Sequence, residues 1–371
     1  MIYKRFKDIR LSRLGMGNMR PPIMEGGKAG DIDREKARQI IDYAMASGIN
    51  YYDTAYVYHE GKSEAFLGDE LVSRYPRDSF YLATKYIRIN GYDYKTVFQE
   101  QLARLKTDHI DFYLIHAVMD NTCDEYLNCG CIEYFLEQQR LGRIKYLGFS
   151  SHASPKVLER FAAHHKWDFA QIQLNYYDWL YGTAKEEYIV LEKLNIPIMV
   201  METVRGGRLS KLTEDAEKIL QAVQPKWTTT EWAFRFVKSL NQVQLALSGM
   251  STLEQIKENV ATYKDYRGLQ GDEIGKLFSA CNSFRKQVHT PCTACRYCCD
   301  DCPAKINIPA VLAVYNDYKL EGRWALGKLK SIDSQGKPQD CIECGACKSH
   351  CPQSIDITGI MAELKDILPV K

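Results

Sequence analysis

The sequence predicts an α/β chain built as a (β/α)8, or TIM, barrel with a second, smaller α+β domain behind it. Three observations predict it. From about Leu14 to Tyr263, short β-branched or aromatic runs alternate with longer amphipathic stretches, the rhythm of a parallel sheet with crossover helices. Eight such units in roughly 250 residues match the size of that barrel. The cysteines are the third: of 13, none precedes Cys123, and nine fall between Cys292 and Cys351. A disulfide scaffold would be a short chain with cysteines throughout, so this crowding points to a reduced compartment and a C-terminal metal site.

Residues Ile2–Lys7 and Ile9–Leu11, split by a tight turn at Asp8, read as a hairpin closing the barrel bottom. The expected barrel strands are Arg13–Gly17, Asn50–Asp53, Phe80–Lys85, Phe112–His116, Lys145–Ser150, Ala170–Leu174, Ile198–Met201 and Gln244–Leu247. Between them lie expected helices at Arg34–Ser47, Ser63–Arg74, Lys95–Leu105, Ile132–Leu141, Pro155–His164, Lys185–Leu194 and Leu253–Tyr263. In the first of these, Ala37, Ile40, Ile41 and Ala44 make one apolar stripe and Gly48 ends the helix. A doubly wound sheet is the competing fold, but no Gly-x-Gly-x-x-Gly turn follows the first strand. Beyond Tyr263 the rhythm changes, and Arg267–Gln287 reads as a helical connector with Cys281 as a small buried hydrophobe. The domain bounds are thus 1–265 for the barrel, 266–290 for the connector and 291–371 for the cysteine-rich part.

Composition agrees with this division. At 371 residues the chain exceeds the ~250–300 that one hydrophobic core fills. Hydrophobic residues at 45% and charged residues at 26% exclude long-range disorder. A formal net charge of +2 gives no field that would favour nucleic acid or an anionic membrane. No apolar run approaches the ~18 residues of a membrane span, and the N-terminal stretch lacks the apolar centre of a signal peptide. The expected location is the cytoplasm.

Cys292-x2-Cys295-x2-Cys298-x3-Cys302-Pro303 is followed by Cys341-x2-Cys344-x2-Cys347-x3-Cys351-Pro352. Three close thiolates can face one cubic cluster, while the fourth, displaced by proline, reaches the other. Cluster one is therefore expected on Cys292, Cys295, Cys298 and Cys351, and cluster two on Cys341, Cys344, Cys347 and Cys302. Four-thiolate zinc also uses C-x2-C pairs, but two complete copies, each ending in Cys-Pro, weigh against it. Cys299 falls outside the register. The segment resembles a bacterial two-cluster 4Fe–4S ferredoxin, with a longer stretch between Cys302 and Cys341 in which helices are expected at Val311–Tyr318 and Arg323–Lys330. Such clusters are electron carriers, although eight thiolate bonds would also organise a small domain.

Barrel enzymes carry catalytic groups at the C-terminal ends of strands. Those ends present Asp53, Lys85 and His116, with Tyr58 in the second loop. Singly, such an aspartate is usually a helix cap and such a histidine a satisfied core residue. At successive strand ends they form a proton-transfer set. A tyrosine with a reference pKa of ~10 is a poor acid at neutral pH. A lysine ammonium beside it favours the phenolate, an aspartate holds the lysine charged, and a neutral histidine can aim a carbonyl oxygen.

Tyr52-Asp53-Thr54-Ala55-Tyr56-Val57-Tyr58 with Lys62-Ser63-Glu64, then Ala83-Thr84-Lys85, Leu114-Ile115-His116 and Gly142 to Ser150, resembles the aldo/keto reductase family across the whole barrel. The resemblance implies hydride transfer between a nicotinamide cofactor and a carbonyl, with Tyr58 as general acid, Lys85 its activator, Asp53 the partner of Lys85 and His116 the carbonyl orienter. It also implies that Ser150, Ser151 and Gln171 hold the nicotinamide carboxamide. Glu202, Val204, Gly206 and Gly207 would lie over the pyrophosphate, and Ser248, Gly249, Met250, Ser251, Gln255 and Asn259 at the adenosine end. The residue-level alternative for the last group is a strand-to-helix turn capped by Thr252. Where members that prefer NADP(H) carry lysine or arginine for the 2′-phosphate, this chain has Gly249, Ser251 and Gln255. Met201 stands where many members stack a tyrosine, and Thr203 replaces a usual proline. NADP and NAD therefore both stay open.

Clusters pass single electrons, whereas hydride transfer moves two, and a flavin normally mediates. FMN in the barrel, fed by a redox protein partner, is thus an alternative to NAD(P)H. A redox-sensing regulatory subunit is another. The leading expectation is an oxidoreductase acting on a small carbonyl or alcohol.

Overall fold

The computed structural model describes residues 1–88, 93–265, 267–286, 289–321 and 323–368. Two short strands, β1 (Tyr3–Phe6) and β2 (Ile9–Ser12), pair antiparallel as the expected hairpin. Eight more strands follow: β3 (Leu14–Gly17), β4 (Tyr51–Asp53), β5 (Tyr81–Tyr86), β6 (Ile110–Val118), β7 (Ile144–Ser151), β8 (Phe169–Gln173), β9 (Ile198–Met201) and β10 (Val243–Ser248). They pair in chain order, all parallel, and β10 pairs with β3 to close the barrel. The (β/α)8 expectation is therefore correct.

Residues two apart on a strand face the same side, which sets the barrel interior in layers. Tyr51, Ala83, Phe112, Tyr146, Phe169, Met199 and Leu245 form one buried cluster with Phe6, Ile9 and Leu11 of the hairpin. Phe6 meets the Tyr146 ring edge-on at 5.0 Å, and Phe112 lies 5.2 Å from Phe169. Each such aromatic contributes about 1.5–3 kcal/mol through burial. Two residues further along the same strands come Asp53, Lys85, Gln171 and Met201, with His116 four beyond Phe112 and Ser150 four beyond Tyr146. Below the layer that carries polar chemistry, then, lies a packed aromatic floor.

Most helices fall where periodicity places them, such as Arg34–Ala46, capped by Asp33 accepting from the Lys36 amide. Two differ. The stretch expected as one helix over Ser63–Arg74 is α-helical only over Ser63–Leu67 and widens to a π-helical turn over Gly68–Val72. Gly68 lies so close to the Arg104 carbonyl that a Cβ would sit 2.2 Å from its oxygen. Thr229–Lys238 is a helix outside those expected from the sequence, and it buries Trp232, Ala233, Phe234, Phe236 and Val237.

The chain separates into two compact units, one of residues 1–203 and 230–274, the other of residues 204–229 and 275–371. The second contains helices Ile308–Glu321 and Ile357–Ile367 around a core of Ile306, Val311, Leu312, Ile355, Met361 and Leu364. The run at Arg323–Ser331, expected as α-helix, is 3-10. Among the described residues the α+β expectation reduces here to one bridge, Ile306 with Gly336. Of the expected connector, Glu273–Arg285 is helical, and residues 266, 287 and 288 lie outside the described ones. No helix among the described residues is long and apolar enough to cross a membrane.

Candidate active site and cluster-binding cysteines

Asp53 and Lys85, from neighbouring strands, meet with Nζ 2.5 Å from Oδ1, and Nζ also donates to the Thr54 carbonyl at 2.7 Å. Both residues are buried. Burial pushes the Asp53 pKa up and the Lys85 pKa down, and each shift is opposed by the partner's charge. The Lys85 ammonium lies 5.0 Å from the centre of the half-buried Tyr58 ring. Tyr58 in turn stands edge-on to the His116 imidazole, with 5.8 Å between ring centres. The structure thus brings the four expected residues together at one mouth.

The loop carrying Tyr58 is pinned by its own polar groups. Ser63 donates to the Asn18 carbonyl and pairs with the Thr54 hydroxyl, and its amide donates to the Tyr58 carbonyl. Glu64, fully buried, accepts from the Thr84 hydroxyl and from the Gln101 amide, which also donates to the Lys85 carbonyl. The Lys62-Ser63-Glu64 motif therefore holds both the acid loop and the strand bearing Lys85. Sequence reasoning used it as a signature and missed this role, because Gln101 comes from a distant helix.

His116 occupies an irregular strand end. The β6–β7 register shifts between Ile115 and Val118, and Ala117 adopts φ 53°. Such a bulge turns a side chain into the site at a cost that its neighbours offset. The Ala117 amide donates to Ser150 Oγ, and the Tyr126 hydroxyl donates to the His116 carbonyl at 2.8 Å. Burial first, then Lys85 and His152, holds the His116 pKa well below its ordinary value, so the imidazole is neutral. Its Nδ1 is buried with no hydrogen-bond partner among the described residues.

Ser150 and Ser151 are buried on β7, where Ser151 Oγ accepts from the Ala153 amide. Gln171 points its amide nitrogen at Met201 Sδ, 3.6 Å away, and its buried oxygen has no hydrogen-bond partner among the described residues. That orphaned acceptor fits a carboxamide N–H, so the residues present are compatible with a nicotinamide. At the other end, Ser251 and Gln255 hydrogen-bond each other, and Thr252 caps the helix Leu253–Thr262. The local turn reading of these residues is therefore realised. Asn259 donates to Ser248 Oγ. Arg20, unremarked in the sequence, has its Cβ against Gly249 and its guanidinium 3.6 Å from Glu202. Val204, Gly206 and Gly207 group with the second unit, where a Cβ on Gly206 would sit 2.0 Å from the Thr293 oxygen.

In the second unit, Cys292, Cys295, Cys298 and Cys351 line a cavity of about 280 Å³. Cys302, Cys341, Cys344 and Cys347 line another of about 360 Å³. These are the two quartets expected from spacing. None of the cysteines is joined in a disulfide, and Cys299 lines neither cavity. The two motifs also repeat in backbone: Ala294 and Glu343, Arg296 and Gly345, Lys305 and Ser354 occupy equivalent positions, and all have left-handed φ. Left-handed residues in such loops turn amides inward, as a site for an anionic cluster needs. Among the described residues no three Cys, His, Asp or Glu side chains converge tightly enough for one metal ion. Four cysteines around each cavity are the donor set that a cubane takes. Arg205, buried, donates to the Pro291 carbonyl and to Gln353 beside the first cavity.

A profile of the aldo/keto reductase family matches residues 13–277, and one of the 4Fe-4S dicluster domain matches residues 291–355. The chain is similar to the uncharacterized oxidoreductase YqkF of Bacillus subtilis, 28% identical over 73% of this chain and 93% of that protein. Norsolorinic acid reductase B of Aspergillus parasiticus is 29% identical over 53% of each chain. Among solved structures, the aldo-keto reductase AKR11C1 from Bacillus halodurans, in its holo form, superposes with a TM-score of 0.62 at 26% identity, covering 76% of this chain and 96% of its own. The chain belongs to the aldo/keto reductase family, as an oxidoreductase that also carries a 4Fe–4S dicluster domain.

Proposed function

We propose that the barrel, residues 1–265, interconverts a small carbonyl compound and its alcohol with NAD(P)H. On this reading residues 291–371 carry electrons on two 4Fe–4S clusters, residues 266–290 join the two parts, and the chain works in a reducing, cytoplasmic setting. The observation that carries the reading is the convergence of the buried Lys85–Asp53 pair, the Tyr58 ring and a neutral His116. His116 donates a hydrogen bond to the substrate oxygen and keeps it within reach of the Tyr58 hydroxyl. Tyr58 gives its phenolic proton to that oxygen, and the Lys85 ammonium stabilises the phenolate left behind. Asp53 holds Lys85 charged and fixed. Ser150, Ser151 and Gln171 would hold the carboxamide, and Met201, Glu202, Gly249, Ser251, Gln255 and Asn259 the remainder of the dinucleotide. A bound nicotinamide supplies the hydride.

Cys292, Cys295, Cys298 and Cys351 would hold one cluster, and Cys302, Cys341, Cys344 and Cys347 the other. Clusters bound there supply one-electron transfer, which calls for a redox protein as partner. Tyr58→Phe tests the acid role: NAD(P)H-dependent carbonyl turnover should fall by ~10²-fold or more with iron content unchanged. Turnover at the wild-type rate rejects it. Flavin in anaerobically purified protein would replace the nicotinamide in this scheme.

A further inference from the structure

Three cysteines lie between β6 and β7, apart from the barrel site and the cluster cavities. Cys123 opens the helix Cys123–Asn128 and receives a hydrogen bond from Arg160. The other two are a facing pair. Cys129 ends that helix, Cys131 begins the next (Cys131–Arg140), and between them Gly130 at φ 79° turns the chain back. Both thiols point at one acceptor, the Tyr126 carbonyl, at 3.8 and 3.7 Å. Cys131 is fully buried and Cys129 is half-buried.

The two sulfurs are chemically unequal. The Cys131 thiol beside it, aided by the Arg88 guanidinium, brings the Cys129 thiol down to about 6, while Cys131 is pushed up. Arg88 is itself paired with Glu125 at 3.4 Å. A reachable thiolate next to a buried thiol is the arrangement of an attacking sulfur and a resolving one. Gly130 gives the short link the backbone freedom that closing so small a ring demands.

We infer that Cys129 and Cys131 are a thiol–disulfide switch that a low-molecular-weight disulfide oxidises. The Cys129 thiolate attacks one sulfur of that disulfide, forming a mixed disulfide and releasing a thiolate. Cys131 then loses its proton to the medium and attacks the Cys129 sulfur, expelling the second small thiol. Two protein thiols are oxidised by two electrons, and one disulfide is reduced to two thiols. The state of the pair is felt at the barrel mouth through Tyr126. Its carbonyl takes both thiols, while its hydroxyl donates to the His116 carbonyl and accepts the Arg88 amide. Oxidation takes away the Cys131 S–H donor and the Cys129 thiolate beside the residue that steadies the bulged end of β6.

The test equilibrates the full-length, cluster-loaded protein anaerobically across ratios of oxidised to reduced glutathione. An acid quench, alkylation after denaturation and peptide mass spectrometry follow. The peptide bearing Cys129 and Cys131 should lose both alkyl labels together as the ratio rises, while Cys123 and Cys281 keep theirs. Cys131→Ser should stop at glutathione on Cys129, and Cys129→Ser should leave Cys131 labelled. Both labels retained at every ratio, a wild-type protein that stops at the mixed disulfide, or a link to another cysteine overturns the switch. Amide exchange at residues 116–118 should quicken in the oxidised form, and equal exchange in the two forms overturns the link to His116.

Discussion

Removing Asp53 should be among the most damaging single changes in the barrel. In Asp53→Ala, the Lys85 ammonium keeps only the Thr54 carbonyl, in a position 1% exposed. Breaking a buried ion pair from one side costs about 3–5 kcal/mol, because the remaining charge has neither water nor a partner. Lys85→Met strands the carboxylate instead. Burial already raises the Asp53 pKa, and without Lys85 nothing opposes it, so the folded state binds a proton that the unfolded state releases. Stability of that variant should therefore rise as the pH falls toward the ordinary aspartate range. The double variant Asp53→Ala/Lys85→Met contains neither charge and should be less damaged than the sum of the singles by at least ~2 kcal/mol. The measurement is native-state hydrogen exchange on peptides of β4, β5 and β6. It reads this region alone and does not require so large a chain to unfold in one step. Singles that cost under ~1 kcal/mol and add in the double would refute the buried-pair reasoning.

Three further outcomes are expected. Glu187, buried and accepting from the Thr183 hydroxyl, has its pKa raised by burial from 4.5 to about 7. Its folded-state stability is complete below about 4.5 and declines as pH rises through 7, so Glu187→Gln should raise the unfolding temperature at pH 8 and do little near pH 4.5, with a ceiling of about 3 kcal/mol. Cys351→Ser and Cys302→Ser should each remove one of two signals in the electron paramagnetic resonance spectrum of reduced protein, and not the same one. Loss of the same signal in both overturns the crossed quartets. Arg20→Ala should raise KM for NADPH several-fold more than for NADH with kcat kept, read by steady-state kinetics, since Arg20 lies against Gly249, where the expected cation is missing.

Much of the barrel was legible because its signals are local. Ile198–Met201 reads directly as β9, and the remaining strands differ from expectation only at their ends. Asp53, Lys85 and His116 could be found as polar residues ending apolar strands, and the cysteine quartets from spacing alone. What was illegible depends on contacts across the chain. Nothing in Gly68 announces that the Arg104 carbonyl lies against it, or in Tyr126 that its hydroxyl holds the His116 backbone. Arg20 has no motif around it. Cys129 and Cys131 were overshadowed by the denser cysteines downstream, although a Cys-Gly-Cys step is itself a sequence signal. The affiliation of Val204–Thr229 with the cluster unit has no local mark at all.

That affiliation means the polypeptide passes between its two units three times, after Thr203, after Thr229 and after Ile274. A simple appendage would need one passage. Trimming the protein back to its first 274 residues would leave the stretch from Val204 to Thr229 an orphan: Arg205 would lose Pro291 and Gln353, and Gly206 would lose Thr293. Neither half can be swapped onto a foreign partner as a cassette, and a viable chimera would have to exchange that inserted stretch and the C-terminal segment together.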